Sequence, residues 1–109
     1  MYQMVAWNVA NKWNRNGNCA LVVGATYPYE LEQVRKIAGE MWLLVPGVGT
    51  QGGDVEKVVK NGLNGKGHGL IINSSSGIIF ASGGRDFAEA ARGKTIELTN
   101  QINGVLASA

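Results

Sequence analysis

Three short, continuous apolar runs punctuate the chain: Ala20-Leu21-Val22-Val23-Gly24, Trp42-Leu43-Leu44-Val45 and Leu70-Ile71-Ile72. None alternates with polar residues as a half-solvated strand would, so they predict strands buried on both faces. Amphipathic segments separate them. Pro28, a residue suited to the first helical turn, opens a helix in which Leu31, Val34, Ile37 and Ala38 share a face. Asp54 caps a helix with Val55, Val58 and Val59 inward and Gly62 near its end. Asp86 and Glu89 form a capping box for a long helix carrying Phe87, Ala91, Leu98, Ile102 and Val105. Ahead of the first strand, Tyr2, Val5, Ala6, Val9 and Trp13 fall at helical spacing, and Asn14 to Asn18, with Gly17 as the cap, ends that helix. No capping residue precedes it, so it reads as a helix whose start is missing.

The order is α-βα-βα-βα, which predicts an α/β fold with a parallel sheet. Two closures satisfy it: a small doubly wound sheet, or part of a (βα)8 barrel. A whole barrel takes about 250 residues. These 109 residues supply three βα units and a leading helix, somewhat under half of eight.

Composition narrows the function classes. The chain holds 16 glycines, 11 of them between Gly47 and Gly84. No Gly-X-Y period accompanies them and there are only two prolines, which excludes collagen. Hydrophobic residues make up 45% and charged residues 17%, which excludes a disordered tail. Ten basic against eight acidic residues leave a net charge of +2, spread along the chain without a basic run, so nucleic acid is not the expected partner. Cys19 is the single cysteine, which excludes an intrachain disulfide and a cysteine zinc site. With no signal peptide and no apolar run near 18 residues, the expectation is a cytoplasmic protein away from membranes, and no metal site is expected.

The segment Val45-Pro46-Gly47-Val48-Gly49-Thr50-Gln51-Gly52-Gly53-Asp54 follows a strand and opens a helix. Glycines there let successive backbone N–H groups converge, and the helix N-terminus adds partial positive charge; together these suit a phosphate. Gln51 adds a neutral donor. The segment is not a Walker loop, and its Gly47-x-Gly49-x-x-Gly52 spacing lacks the acidic residue of a dinucleotide site. A tight turn of small residues accounts for the same letters. The next loop, Asn73-Ser74-Ser75-Ser76-Gly77, follows the adjacent strand and lies at the same end of a parallel sheet; in barrels, loops after the last two strands often bind phosphate. No catalytic set stands out. Asp54 and Asp86, the only aspartates, sit at helix caps. His68 reads as a solvated loop residue, Cys19 as a small buried one, and the tryptophans as packing. Arg35, Lys36, Lys57 and Lys60 read as solvated helix faces.

Three segments occur in order: Val22-Val23-Gly24-Ala25-Thr26-Tyr27-Pro28, the Pro46 to Asp54 loop, and Ile71-Ile72-Asn73-Ser74-Ser75-Ser76-Gly77-Ile78-Ile79-Phe80-Ala81-Ser82. With Asn16-Gly17-Asn18 and Asp86-Phe87-Ala88-Glu89-Ala90-Ala91-Arg92, they make the chain resemble the C-terminal part of bacterial and archaeal orotidine 5′-phosphate decarboxylases. The resemblance implies one partial barrel domain over 1–109, part of a (βα)8 TIM barrel that is usually dimeric. It implies an enzyme making uridine monophosphate (UMP) from orotidine monophosphate without a cofactor. It gives Pro46, Gly47, Val48 and Gly49 the base pocket, and Gln51 a contact to phosphate and pyrimidine. Gly52 and Gly53 complete that loop, and Ser75 and Ser76 donate backbone amides to phosphate. The partner is then a nucleotide monophosphate or phosphate.

Two departures bear on this. The family's catalytic lysine and aspartates lie in its N-terminal half, and this chain holds no such array. Ser76 stands where the family usually has a phosphate-clamping arginine; one lost charge-assisted contact costs about 1.5–3 kcal/mol. Arg85 reads as a surface residue. The expectation is an inactive C-terminal portion that self-associates through exposed barrel edges. The alternative is a non-catalytic half-barrel that binds a nucleotide or phosphate.

Overall fold

A computed structural model describes residues 1–48 and 54–108. Helix α1 (Tyr2–Asn8) runs on into a π-helical segment (Val9–Trp13). Then follow β1 (Leu21–Val22), α2 (Pro28–Ala38), β2 (Leu43–Val45), α3 (Val55–Gly62), β3 (Leu70–Ile72), α4 (Ser76–Ile79) and α5 (Phe87–Ser108). The strands form one parallel sheet in the order β1-β2-β3. The expected order is therefore present, with the short helix α4 added where only a loop was read.

Local chemistry explains the boundaries. The first helical stretch ends at Trp13 with Asn14, not the expected Gly17, as its cap; Gly17, at φ +66°, turns the chain just beyond, its N–H donating to the Asn14 carbonyl at 3.2 Å. Pro28 sits in the first turn of α2. The Asp54 carboxylate accepts from the Lys57 N–H at 3.1 Å, the expected cap of α3. The Asp86 carboxylate departs from the expected box: it accepts from the Ser82 hydroxyl at 2.5 Å.

Register decides which closure the sheet fits. Leu21, Leu43 and Leu70 are partners across it, as are Val45 and Ile72; Val22, Leu44 and Ile71 form the alternate row. Register partners share a face. The first set packs with Leu31, Val34 and Ala38 of α2 and with Val58 of α3. In the alternate row Val22 is 70% exposed and Ile71 52%. Helices pack in chain order, α1 on α2, α2 on α3 and α3 on α5. A doubly wound sheet carries helices on both faces; here one face is covered and the other is an open apolar row, as in a segment of barrel wall. The expectation of strands buried on both faces is thus corrected. The apolar runs are real, but the second face has no cover among the described residues.

Other residues expected inside are exposed as well. Trp7, Trp13, Trp42 and Phe87 are each about half exposed or more. In α1 only Ala6 is buried. Arg35 is a correction in the opposite direction. Expected in solvent, it is buried among backbone carbonyls, and burial lowers its guanidinium below the ordinary value. Among the described residues no helix is long and apolar enough to cross a membrane.

Candidate functional site

The candidate site lies where β2 and β3 end. The two strands run parallel, so both following loops emerge at one end of the sheet. The Asn73 N–H donates to the Val45 carbonyl at 3.4 Å, tying the loop starts together. In the first loop Pro46 and Gly47 are half-buried, and Gly47 adopts φ +81°, a left-handed conformation that side chains disfavour. Val48 is fully buried and packs in the core with Leu43, Val45 and Val58. No part of it is exposed, backbone or side chain, although it borders the cavity described below. Gly49, Gln51, Gly52 and Gly53 lie outside the described residues.

In the second loop Ser75 and Ser76 are exposed at the start of α4. The Ser75 hydroxyl makes no capping bond. Its carbonyl accepts from the N–H groups of Ile78, at 3.2 Å, and Ile79, at 2.8 Å. The serine side chains are therefore free of the helix they introduce.

A cavity of about 300 Å³ joins the two loop regions. Val48 and Val55 line it from one side, Ser74, Gly77 and Ile78 from the other, and Lys94, Glu97, Leu98 and Gln101 of α5 along its wall. Lys94 pairs with Glu97 at 3.4 Å. Lys94 and Gln101 were not singled out from the sequence. Their seven-residue spacing puts them on one helical face, but only the packing of α5 shows which loop that face meets.

Other candidates take structural roles. Cys19 is half-buried; its backbone N–H donates to Asn14 Oδ1 at 2.9 Å and its thiol reaches the Trp13 carbonyl at 3.5 Å. His68 is exposed, as expected, with its ring stacked on Trp42 at 5.9 Å between centroids. Among the described residues no cluster of His, Cys, Asp or Glu is placed to hold a metal.

No family model matches the chain. Curated relatives do. An orotidine 5′-phosphate decarboxylase of Azoarcus sp. (strain BH72) is 53% identical over 103 residues, and one of Janthinobacterium sp. (strain Marseille) is 51% identical over 107. The alignments take in 94% and 98% of this chain. The chain is homologous to part of orotidine 5′-phosphate decarboxylase. It spans only 38–40% of the length of these two relatives. Solved structures agree. Leishmania donovani OMP decarboxylase superposes with a TM-score of 0.79 at 37% identity, over 99% of this chain and 38% of that one. Leishmania donovani UMP synthase superposes with a TM-score of 0.81 at 41% identity, over 96% of this chain and 22% of that one. The comparisons favour kinship with the decarboxylase over a free-standing binding module, and they agree with the barrel-wall geometry.

Proposed function

We propose that this chain is the C-terminal portion of an orotidine 5′-phosphate decarboxylase barrel, and that it supplies the loops that hold phosphate and base. The observation that carries the reading is about 50% identity to named decarboxylases along nearly the whole chain. The convergence of two small-residue loops at one end of a parallel sheet supports it. In this reading Pro46, Gly47, Val48 and Gly49 border the base. Gln51 reaches phosphate and pyrimidine, with Gly52 and Gly53 beside it. Ser75 and Ser76 offer backbone amides to the phosphate. The chemistry itself needs a proton donor and a charge network, and we assign both to residues outside this chain, whose only aspartates are Asp54 and Asp86.

The open faces bear on assembly. A groove of about 440 Å³ runs beside β1, lined by Tyr2, Val5, Leu21, Val22, Tyr27 and Val34 among others. Unpaired strand edges beside apolar surface associate readily. The isolated chain is accordingly proposed to self-associate, and the parent enzyme to act in the cytoplasm, where its nucleotide substrates are made and used.

Calorimetric titration of the purified chain with UMP tests the site. Binding that weakens in Gln51→Ala is expected; no binding at millimolar UMP would refute it. Decarboxylation of orotidine monophosphate by the chain alone would overturn the assignment of the chemistry to residues outside it.

A further inference from the structure

The end of the sheet opposite the candidate ligand loops is built around one cation. Arg35 projects from the last turn of α2 and is only 8% exposed. Its guanidinium donates four hydrogen bonds, all to backbone carbonyls: Nε to Gly62 at 2.6 Å, Nη1 to Gly39 at 2.8 Å and Met41 at 2.6 Å, and Nη2 to Gly69 at 2.9 Å. Among the described residues it enters no ion pair. A buried charge without a counter-ion persists only where dipoles replace its hydration. Here they do, because Gly39 follows α2 and Gly62 ends α3. Carbonyls at helix C-termini have no intrahelical partner and carry partial negative charge.

The four acceptors belong to different parts of the fold. Gly39 and Met41 lead into β2, Gly62 closes α3, and Gly69 leads into β3. The Gly69 carbonyl also accepts from the Leu43 N–H at 2.9 Å, so the cage touches the first rung between β2 and β3. Glycine is required where the cage is tightest. At Gly69, φ is +99° and a Cβ would lie 2.7 Å from Asn64 Nδ2 and 3.0 Å from Arg35 Nη2.

We propose that these carbonyls form a guanidinium-selective cage that fastens two consecutive βα units together, with Arg35 as its resident ligand. A planar fork with donors in several directions meets four separated acceptors; a lysine ammonium, with three donors at one point, does not. Emptying the cage leaves a site for a free guanidinium compound.

Thermal melting of the 109-residue chain and its Arg35→Ala variant, with methylguanidinium chloride or tetramethylammonium chloride at equal millimolar concentration, tests this. The variant is expected to melt below the parent and to recover saturably with methylguanidinium alone. Leu31→Ala, truncated in the adjacent core, is expected not to recover. Equal responses in Arg35→Ala and Leu31→Ala, or no recovery in a folded Arg35→Ala, would overturn the proposal. Should Arg35→Ala fail to fold at any concentration, two further measurements decide. Arg35→Lys melting level with the parent would overturn the cage, and a lower melting point is expected. In the parent, nitrogen-15 spectra are expected to resolve separate, slowly exchanging Nη signals for Arg35; one averaged, fast-exchanging signal would overturn it.

Discussion

Truncating Val48 to alanine separates two roles that one residue can play in a ligand loop. If the side chain lines the base pocket, its loss acts on binding; if it belongs to the core, its loss acts on folding. Val48 is fully buried and clusters with Leu43, Val45 and Val58. Removing two buried methyl groups forfeits about 1.6 kcal/mol of transfer free energy at ~0.8 kcal/mol each. Incomplete collapse of the cavity raises the total to about 2 kcal/mol or somewhat more. For a domain of this size, that lowers the melting temperature by about 8–12 °C. Urea denaturation at one fixed protein concentration measures it, since self-association makes apparent stability concentration-dependent. The midpoint is expected to fall while the slope holds. UMP affinity of the folded fraction is expected to stay at the parent value. Met4→Ala, at a 68% exposed position outside the groove beside β1, serves as control with a change under about 0.5 kcal/mol. A Val48→Ala midpoint equal to the parent's, with weakened UMP binding, would refute the core assignment.

Three other outcomes are expected. Asp54→Ala removes the carboxylate that accepts the Lys57 N–H, and is expected to lower stability by about 1 kcal/mol in the same titration. Gly69→Ala places a Cβ against Asn64 and Arg35 in a left-handed conformation, and is expected to cost about 2 kcal/mol or more; a change below that of Asp54→Ala contradicts the close contact. Val22→Lys puts a charge on the open face and edge strand, and is expected to lower the mass measured by light scattering relative to the parent. An unchanged mass would place the self-association surface elsewhere.

Arg35 shows why some of this escaped the sequence. Its spacing in α2, four residues after Leu31 and three before Ala38, places it on the buried face, but a lone arginine reads as solvated from its charge. The carbonyls that hold it come from residues 39, 41, 62 and 69, and nothing in a helical repeat announces their convergence. The glycines divide in the same way. Gly47 bends the loop after β2, as its context predicted, but Gly69 serves the cage at the other end of the sheet. Glycine content alone cannot tell a ligand loop from a crowded corner.

The amino-acid sequence alone determined the alternation of helices and strands, the parallel sheet, the Asp54 cap and the kinship of the loops with a decarboxylase. Each depends on near neighbours or on an ordered motif, and both survive in a linear string. The tertiary structure decided that helices cover one sheet face only, that the Val22, Leu44 and Ile71 row stands open, that Val48 belongs to the core and that Arg35 is buried. These depend on which surfaces distant segments bring together. An apolar run states a preference for burial, and only packing determines whether anything is there to cover it.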